Sequence, residues 1–243
     1  MKVILIGYGR MGKTVHELIK EDKFTEVAGI YDENKLLSVG DNLEGVDVAI
    51  DFSEAQCVID NLKILAGKKI NCVLGTTGWY DKMIMVNDIV KQGNTGLIWD
   101  SNFSIGVNLF FEVARYASDL FGRFEHYDVS ISEVHHKGKK DSPSGTAIIL
   151  GNIILETNSK KKKIQTDKVH GLIEGEALHV TSSRFGSVFG KHSVYFDSPQ
   201  DSFELTHNAK SREGFAVGAL LAAKWIKGKS GIYRMKDVLE SKD

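Results

Sequence analysis

The chain is poor in the features that define several protein classes. Its 243 residues include only two cysteines, Cys57 and Cys72, which are too few and too far apart for a disulfide framework or a four-ligand zinc site. We therefore expect both to be reduced residues of the core. No apolar run reaches the roughly 20 residues that a transmembrane helix needs, and no secretory signal precedes the first strand, so we expect a cytoplasmic protein.

An excess of charge of one sign is also missing. The formal net charge is −1, which gives no electrostatic basis for binding nucleic acid or a membrane surface. We expect the longest basic run, 160–163, to be a solvated loop. Apolar residues make up 42% of the chain, which is ordinary for one large or two small globular domains.

The first part of the chain alternates between short apolar runs and helical patterns. Strands are predicted at 2–6, 26–31, 46–52, 70–75 and 96–100. Such alternation is typical of βαβ crossovers, which form a parallel sheet covered by helices on both faces. Ligands of these sheets bind beyond the carboxyl ends of the strands.

The first strand leads into a glycine-rich turn. Gly7, Gly9 and Gly12 form a Gly-x-Gly-x-x-Gly pattern, which allows a tight turn, close approach of a pyrophosphate and packing of the next helix on the strand. Asp32 ends the second strand, 20 residues after Gly12 (32 − 12), where a carboxylate binds the adenosine ribose. We predict a dinucleotide site, the alternative being a turn that only connects strand to helix.

The pattern changes after residue 104, where strands begin to follow one another directly. A helix is predicted at 105–122, a strand at 127–134 and helices at 144–157 and 212–227. Strands without intervening helices are predicted at 177–185, 191–197 and 202–208. This second region is therefore expected to be α+β with a mixed or antiparallel sheet.

The loop that follows the strand at 127–134 carries two adjacent histidines, His135 and His136, and Lys139. Histidine exchanges a proton near neutral pH, and lysine supplies a cation and an acid. Because successive strand residues point to opposite faces, Glu133 and His135 are expected on one side and His136 on the other. The alternative is that the two histidines are surface or core residues with a purely structural role.

The same loop ends in a turn suited to an anion. Ser144 is a candidate N-cap for the following helix, which leaves the N–H groups of Gly145 and Thr146 in its first turn. A carboxylate is favoured there by the helix dipole, and Lys139 could bind the same anion or donate a proton. We find no third and fourth ligand at a familiar spacing for a metal. His192 and His207 lie in the strand-rich region and are weaker candidates for the site.

The loop 133–147, with the sequence EVHHKGKKDSPSGTA, closely resembles the signature of the 4-hydroxy-tetrahydrodipicolinate reductase family, which acts in the diaminopimelate route to lysine. Further segments resemble the family in the same order: residues 9–12, 51–53, 75–78, 102–108, 184–192 and 231–235. The resemblance covers nearly the whole chain.

This resemblance implies an α/β fold of two domains. A Rossmann-type parallel-sheet domain would comprise residues 1–103 plus 212–243, and an α+β domain on a mixed sheet, for substrate binding and tetramerisation, would comprise residues 104–211. It also implies a homotetramer.

The implied reaction is reduction of a small-molecule cyclic imine dicarboxylate by NADH or NADPH, with hydride added at C4. In this family pattern His135 is the proton donor and Lys139 assists it. The implied substrate-binding residues are His136, Lys139, Ser144, Gly145 and Thr146. The implied cofactor contacts are Gly7, Tyr8, Gly9, Arg10, Met11, Gly12, Asp32, Gly75, Thr76, Thr77, Ser101, Asn102 and Phe103. No metal is implied.

The residues after Asp32 bear on the choice of cofactor. Glu33 follows it directly, and a second carboxylate repels the 2′-phosphate of NADPH. We therefore predict a preference for NADH, against which Arg10 and Lys35 are the opposing cations. Two rival functions stay open: an amino-acid dehydrogenase acting on aspartate, and a dinucleotide sensor without catalysis.

Overall fold

A computed structural model describes residues 1–166 and 169–241 of the protein. The chain forms two compact units. The first contains Met1–Ile105 together with the segment from Arg212 onward, and the second is Gly106–Ser211. Within the described ranges, no helix combines the length and the apolar character that crossing a membrane requires.

The strands are β1 (Lys2–Ile6), β2 (Glu26–Tyr31), β3 (Val48–Asp51), β4 (Asn71–Leu74), β5 (Gly96–Trp99), β6 (Asp128–His135), β7 (Lys163–Gln165), β8 (Ala177–Arg184), β9 (Gly190–Asp197), β10 (Ser202–Ala209) and β11 (Gly231–Tyr233). The α-helices are α1 (Arg10–Glu21), α2 (Val58–Gly67), α3 (Met83–Gly93), α4 (Ile105–Gly122), α5 (Gly145–Thr157), α6 (Glu213–Ile226) and α7 (Met235–Glu240). A short 3₁₀ turn, Tyr80–Lys82, precedes α3.

The first unit is built on a parallel sheet with the strand order β2-β1-β3-β4-β5-β11. The chain leaves β1 toward β2 on one side and then returns to β3 on the other, so the strand order reverses between β1 and β3. In sheets of this type, the crevice at that reversal is where a ligand binds. The prediction of a Rossmann-type sheet is confirmed.

Alternate residues of these strands supply two separate cores. One face, which includes Leu5 and Ile50, packs against α1, α6 and α7, and the opposite face, which includes Ile4 and Leu74, packs against α2 and α3. The strands are therefore apolar on both sides, as a parallel sheet between two helical layers requires.

The second unit has a mixed sheet with the order β10-β9-β6-β8-β7. Strand β6 runs parallel to β8 and antiparallel to β9. One face of this sheet, with Ile131, Leu178 and Phe196, buries its apolar side chains against α4 and α5. The predicted α+β character is confirmed, and β6 at the centre carries the histidine pair at its end.

Two expectations about individual residues are corrected. The run 160–163 is not a solvated loop throughout, because Lys161 is only 4% exposed. Its ammonium group donates to the carbonyls of Gly175 and Ala177 at 2.8 and 3.0 Å and pairs with Asp128 at 2.7 Å. Cys72 is buried as expected, but Cys57 is only half-buried. The short elements β7, β11 and α7 were not predicted.

Close packing within the first unit predicts a large cost for one glycine substitution. A Cβ added to Gly218 of α6 would lie 1.7 Å from the carbonyl oxygen of Phe103. We expect Gly218→Ala to lower the unfolding free energy by about 1–3 kcal/mol, since backbone must move to accept the methyl group. Urea denaturation of the purified protein measures this change.

The matched control is Gly67→Ala at the end of α2, where an added Cβ meets no described atom within 4 Å. It should leave stability unchanged or raise it by up to about 1 kcal/mol, because alanine favours the helix more than glycine does. Equal losses in the two variants would contradict the packing at Gly218.

Candidate functional site

A cleft of about 560 Å³ lies in the first unit at the carboxyl ends of β1, β2 and β3. It is lined by Ile6, Gly7, Tyr8, Gly9, Tyr31, Asp32, Glu33, Leu36, Leu37, Phe52, Ser53, Glu54, Gln56, Cys57 and Asn61. Four residues predicted to contact a cofactor are among them: Gly7, Tyr8, Gly9 and Asp32. The cleft therefore opens at the point where the strand order reverses.

Each glycine of the turn is required, or useful, for a different physical reason. Gly7 has a φ of +84°, and a Cβ there would lie 2.4 Å from the backbone of Phe52. A Cβ on Gly12 would lie 2.2 Å from the carbonyl oxygen of Gly7, so this glycine lets α1 pack on the turn. Gly9 is the N-cap of α1, and a Cβ there would meet no described atom within 4 Å. The helix start is thus open to a phosphate group, and the residues present fit a dinucleotide.

Asp32 is held in place by its own turn. One oxygen of its carboxylate accepts hydrogen bonds from the backbone of Asn34 and Lys35 at 2.9 and 3.2 Å. Tyr8 is fixed as well, by a 2.6 Å hydrogen bond between its hydroxyl and the ring of His16.

The other predicted cofactor contacts are not among the described residues that line this cleft. Thr76 is buried, and its hydroxyl donates to the carbonyl of Ser53 at 3.1 Å, which ties the loop after β4 to the loop after β3. Thr77 and Ser101 are exposed at the ends of β4 and β5. Phe103 is buried in the core of the first unit.

Arg10 is exposed and Met11 half-buried on the first turn of α1. Two more predicted contacts lie in the loops after β4 and β5. A Cβ added to Gly75 would lie 2.1 Å from the ring of Phe52, and Asn102 is buried.

The second unit contains a buried polar cluster around Glu133, which is 1% exposed. The predicted strand alternation is confirmed: Glu133 and His135 lie on the same buried side of β6, and Nδ1 of His135 makes a short hydrogen bond to Oε2 of Glu133. Arg184 donates to both carboxylate oxygens, at 3.0 and 2.6 Å. The backbone N–H of Ser144 donates to Oε1 at 3.1 Å.

These contacts set the charge of Glu133. Burial by itself raises the pKa of this carboxyl, but the hydrogen bonds from His135 and Arg184 outweigh burial and lower the pKa to about 2. Glu133 is therefore an anion at neutral pH. His135 has its other ring nitrogen, Nε2, on the opposite edge, where a Cβ added to Gly190 would lie 2.9 Å away.

Ser144 connects this cluster to α5. Its side chain caps the helix by accepting a 3.2 Å hydrogen bond from the N–H of Ala147, as predicted. Its hydroxyl also lies 3.0 Å from Nε2 of His192, which is 4% exposed. Burial, followed by the charge of His135, lowers the pKa of His192 to about 4, so this ring is neutral at neutral pH.

The remaining loop residues lie at the start of the same helix. Lys139 forms an ion pair with Asp141 at 2.9 Å. Gly145 is exposed, and a Cβ there would meet no described atom within 4 Å, which leaves room beside the first turn of α5. Thr146 and His136 are half-buried. The ammonium of Lys139 and the backbone of Gly145 at the start of α5 thus both bind the carboxylate of Asp141.

Glu133, His135 and His192 are close enough to form a candidate metal site. The sequence shows no third and fourth ligand at a familiar spacing, and the third group comes from a distant segment, because His192 on β9 meets Glu133 and His135 across the sheet. However, the guanidinium of Arg184 already occupies both oxygens of Glu133. A cation placed there would face that fixed positive charge, so the residues fit an ion-paired network better than a metal.

Three members of the cluster were not assigned to the site from the sequence: Glu133, Arg184 and, except as a weak candidate, His192. Their contacts depend on register, since Glu133 lies opposite His192 on β9 and His135 opposite Arg184 on β8. The available signal was that Arg184, Gly190 and His192 all belong to one segment that resembles the family.

Fold and sites together define a two-unit α/β protein with a Rossmann-type nucleotide-binding first unit. The family model "Dihydrodipicolinate reductase, N-terminus" matches residues 1–103, and "Dihydrodipicolinate reductase, C-terminus" matches residues 106–239. The chain belongs to the dihydrodipicolinate reductase family, which confirms the resemblance.

Individual relatives agree with this assignment. A 4-hydroxy-tetrahydrodipicolinate reductase of Christiangramia forsetii is 41% identical over 239 residues, covering 98% of each chain. One of Aquifex aeolicus is 36% identical over 264 residues, again covering 98% of each. A solved dipicolinate-bound dihydrodipicolinate reductase from Paenisporosarcina sp. TG-14 has a TM-score of 0.78 at 21% identity, covering 96% of this chain and 97% of that one, which shows a shared fold.

The lowered pKa of His192 predicts a pH-dependent loss of stability. The unfolded chain takes up a proton near pH 6.5, whereas the folded ring does so only near pH 4. Stability from the neutral ring is thus fully present above pH 6.5 and is lost as the pH falls to 4, by roughly 3 kcal/mol. Denaturant titrations at several pH values measure this loss.

The variant His192→Gln should flatten the pH dependence in this window, since glutamine does not titrate. The contribution of Glu133 falls mainly at lower pH, because its pKa moves from 4.5 to about 2. An unchanged slope between pH 6.5 and 4 in the variant would contradict the assignment to His192.

Proposed function

We propose that this protein reduces 4-hydroxy-tetrahydrodipicolinate, or its dehydrated form dihydrodipicolinate, to tetrahydrodipicolinate with NADH or NADPH, in the diaminopimelate route to lysine. One observation carries the proposal: His135 of the family's His-His-Lys motif and Ser144 of its Ser-Gly-Thr motif both bind Glu133 at the start of α5. The names of relatives up to 41% identical support the same substrate.

The start of α5 is suited to hold one substrate carboxylate. In this proposal Ser144, Gly145 and Thr146 bind it at the positive end of the helix, and Lys139 adds a cation. His136 completes the substrate contacts. Because Lys139 is paired with Asp141 in the present structure, a substrate carboxylate would compete with Asp141 for that ammonium group.

The proton in this reaction comes from His135. Reduced nicotinamide supplies the hydride that adds to C4 of the conjugated ring system. Electron density then accumulates at C3 and the ring nitrogen. His135, as an imidazolium, donates its proton to C3 and becomes neutral, and Lys139 assists by stabilising the developing charge. The carboxylate of Glu133 accepts the hydrogen bond from Nδ1 of that ring, which leaves Nε2 as the nitrogen that faces away from it.

The first unit would hold the cofactor through the glycine turn at 7–12 and the carboxylate of Asp32. Residues 75–77 and 101–103, on loops after β4 and β5, are assigned to it by the same family pattern. Assembly into a homotetramer and a cytoplasmic location likewise stay predictions.

We propose NADH as the preferred cofactor. Asp32 and Glu33 both line the cleft, whereas the cations Arg10 and Lys35 are not among the described residues that do. The ammonium of Lys35 lies over the ring of Tyr31, 4.9 Å from its centre. Two carboxylates in the lining of the cleft disfavour the 2′-phosphate of NADPH.

Substrate-dependent oxidation of NADH tests the function itself. The enzyme should consume NADH with freshly generated 4-hydroxy-tetrahydrodipicolinate and not with oxaloacetate plus ammonia. Activity with the second pair would favour an aspartate dehydrogenase. Binding of NADH without oxidation by either substrate would favour a sensor, and both results would contradict the proposal.

Substitutions in the loop test the roles of its residues. His135→Gln and Lys139→Ala should each lower kcat by about 100-fold or more, because general acid catalysis is typically worth 10²–10⁴-fold. The Kd for NADH, measured by fluorescence titration, should stay nearly unchanged in both. Lys140→Ala, at an exposed neighbour, is the control that should keep normal turnover. Normal turnover in the first two variants would remove the assignment.

Cofactor preference is tested by kcat/KM for NADH and for NADPH. The wild-type ratio should favour NADH, and Glu33→Lys should shift it toward NADPH by about tenfold, or ~1.4 kcal/mol, by replacing a repelling charge with an attracting one. Glu44→Lys makes the same charge change at an exposed position outside the cleft lining and should leave the ratio unchanged. A strong wild-type preference for NADPH would refute the proposal.

A further inference from the structure

We propose that Glu133 is a positioning residue, which holds His135 by Nδ1 so that only Nε2 can deliver the proton, and which ties that ring to the start of α5. This role rests on the reductase activity proposed above. Glu133 itself would touch neither substrate nor cofactor.

The carboxylate of Glu133 is fixed by three separate elements. His135 binds Oε2 from its own strand, and Arg184 binds both oxygens from β8 at 3.0 and 2.6 Å. Ser144 donates its backbone N–H to Oε1 at 3.1 Å from the start of α5. Because both oxygens are engaged and the side chain is buried, rotation of Glu133 would break several hydrogen bonds at once.

The ionised state of Glu133 determines which nitrogen of His135 carries a hydrogen. A carboxylate can only accept, so Nδ1 of His135 must donate to it in both the neutral and the charged ring. The transferable proton therefore belongs to Nε2. The open side of that nitrogen is kept by Gly190, since a Cβ there would approach Nε2 to 2.9 Å.

Arg184 offsets the negative charge of Glu133 near the start of α5. An anion next to the start of α5 would repel a substrate carboxylate, and the guanidinium of Arg184 offsets that charge. Arg184 also donates to the carbonyl of Asp141 at 2.7 Å, so it fixes the loop that carries Lys139. The pair thus supplies a local anion to His135 while leaving the helix start favourable to an acid.

Other titratable groups face the ring of His135 from neighbouring elements. His192 on β9 lies with its ring centre 5.1 Å from that of His135. His207 pairs with His192 in register from β10, and burial lowers the pKa of both. Lys139 and Asp141 form their own ion pair on the loop. Among these groups, Glu133 binds Nδ1 of His135 directly, and Arg184 binds Glu133.

The first test uses wild-type protein and needs no activity. Neutron diffraction from deuterium-exchanged crystals at a pH where the ring is neutral locates the hydrogens of His135. The proposal predicts deuterium on Nδ1, shared with Glu133, and none on Nε2. Deuterium on Nε2 alone, or a protonated Glu133, would overturn it.

The second test is Glu133→Gln, which keeps an acceptor but removes the charge. It should lower kcat by about 100-fold with a much smaller change in KM. The pH profile of kcat should also differ from that of the wild type, because Nδ1 of His135 loses the carboxylate to which it donates. Glu176→Gln, at an exposed carboxylate of the same unit, is the control that should change neither quantity.

The outcomes separate the two proposals. If the wild-type protein does not reduce the substrate, the proposed function fails, and the tautomer measurement still decides whether Glu133 holds His135 by Nδ1. If the wild type is active and Glu133→Gln keeps the wild-type pH profile, the positioning role is overturned. Circular dichroism checks that the variant folds, and if it does not, the tautomer of the wild-type protein decides.

Discussion

A carboxylate that is removed from water must be paired, and Glu133 imposes this constraint on the second unit. Arg184, His135 and Ser144 satisfy it from β8, β6 and the start of α5. Removing one partner of such a buried pair typically costs about 3–5 kcal/mol, because the other charge is left uncompensated. The buried charge of Glu133 therefore links three features of the second unit: the pairing of its strands, the start of α5 and the orientation of His135.

The two units divide the chemical work that we propose. The parallel sheet of the first unit brings the glycine turn, Asp32 and Ser53 to one edge, where its strand order reverses and a cleft opens. The mixed sheet of the second unit instead places His135, the proposed proton donor, in one hydrogen-bonded cluster with the N-cap Ser144 of α5. A hydride donor and an acid with a bound proton are the two components that reduction of a conjugated imine requires.

Much of this architecture is readable from local sequence signals. The alternation of apolar runs predicts the parallel sheet, the glycine spacing predicts the turn, and strand alternation places Glu133 and His135 on one side. The pairing of Glu133 with Arg184 could not be predicted, because Arg184 meets it only through the register of β6 with β8. Lys161 was misjudged for a similar reason: its charge is satisfied by carbonyls that are distant in the sequence.

In the proposed function, residues 135–146 bind the acid that is reduced. The most direct measurement is a crystal structure with cofactor and a planar dicarboxylate analogue such as pyridine-2,6-dicarboxylate. We expect one carboxylate of the analogue at the N–H groups of Gly145 and Thr146, with Lys139 beside it, and the ring within reach of Nε2 of His135. An analogue bound elsewhere, or a nicotinamide ring distant from this loop in the occupied form, would contradict it.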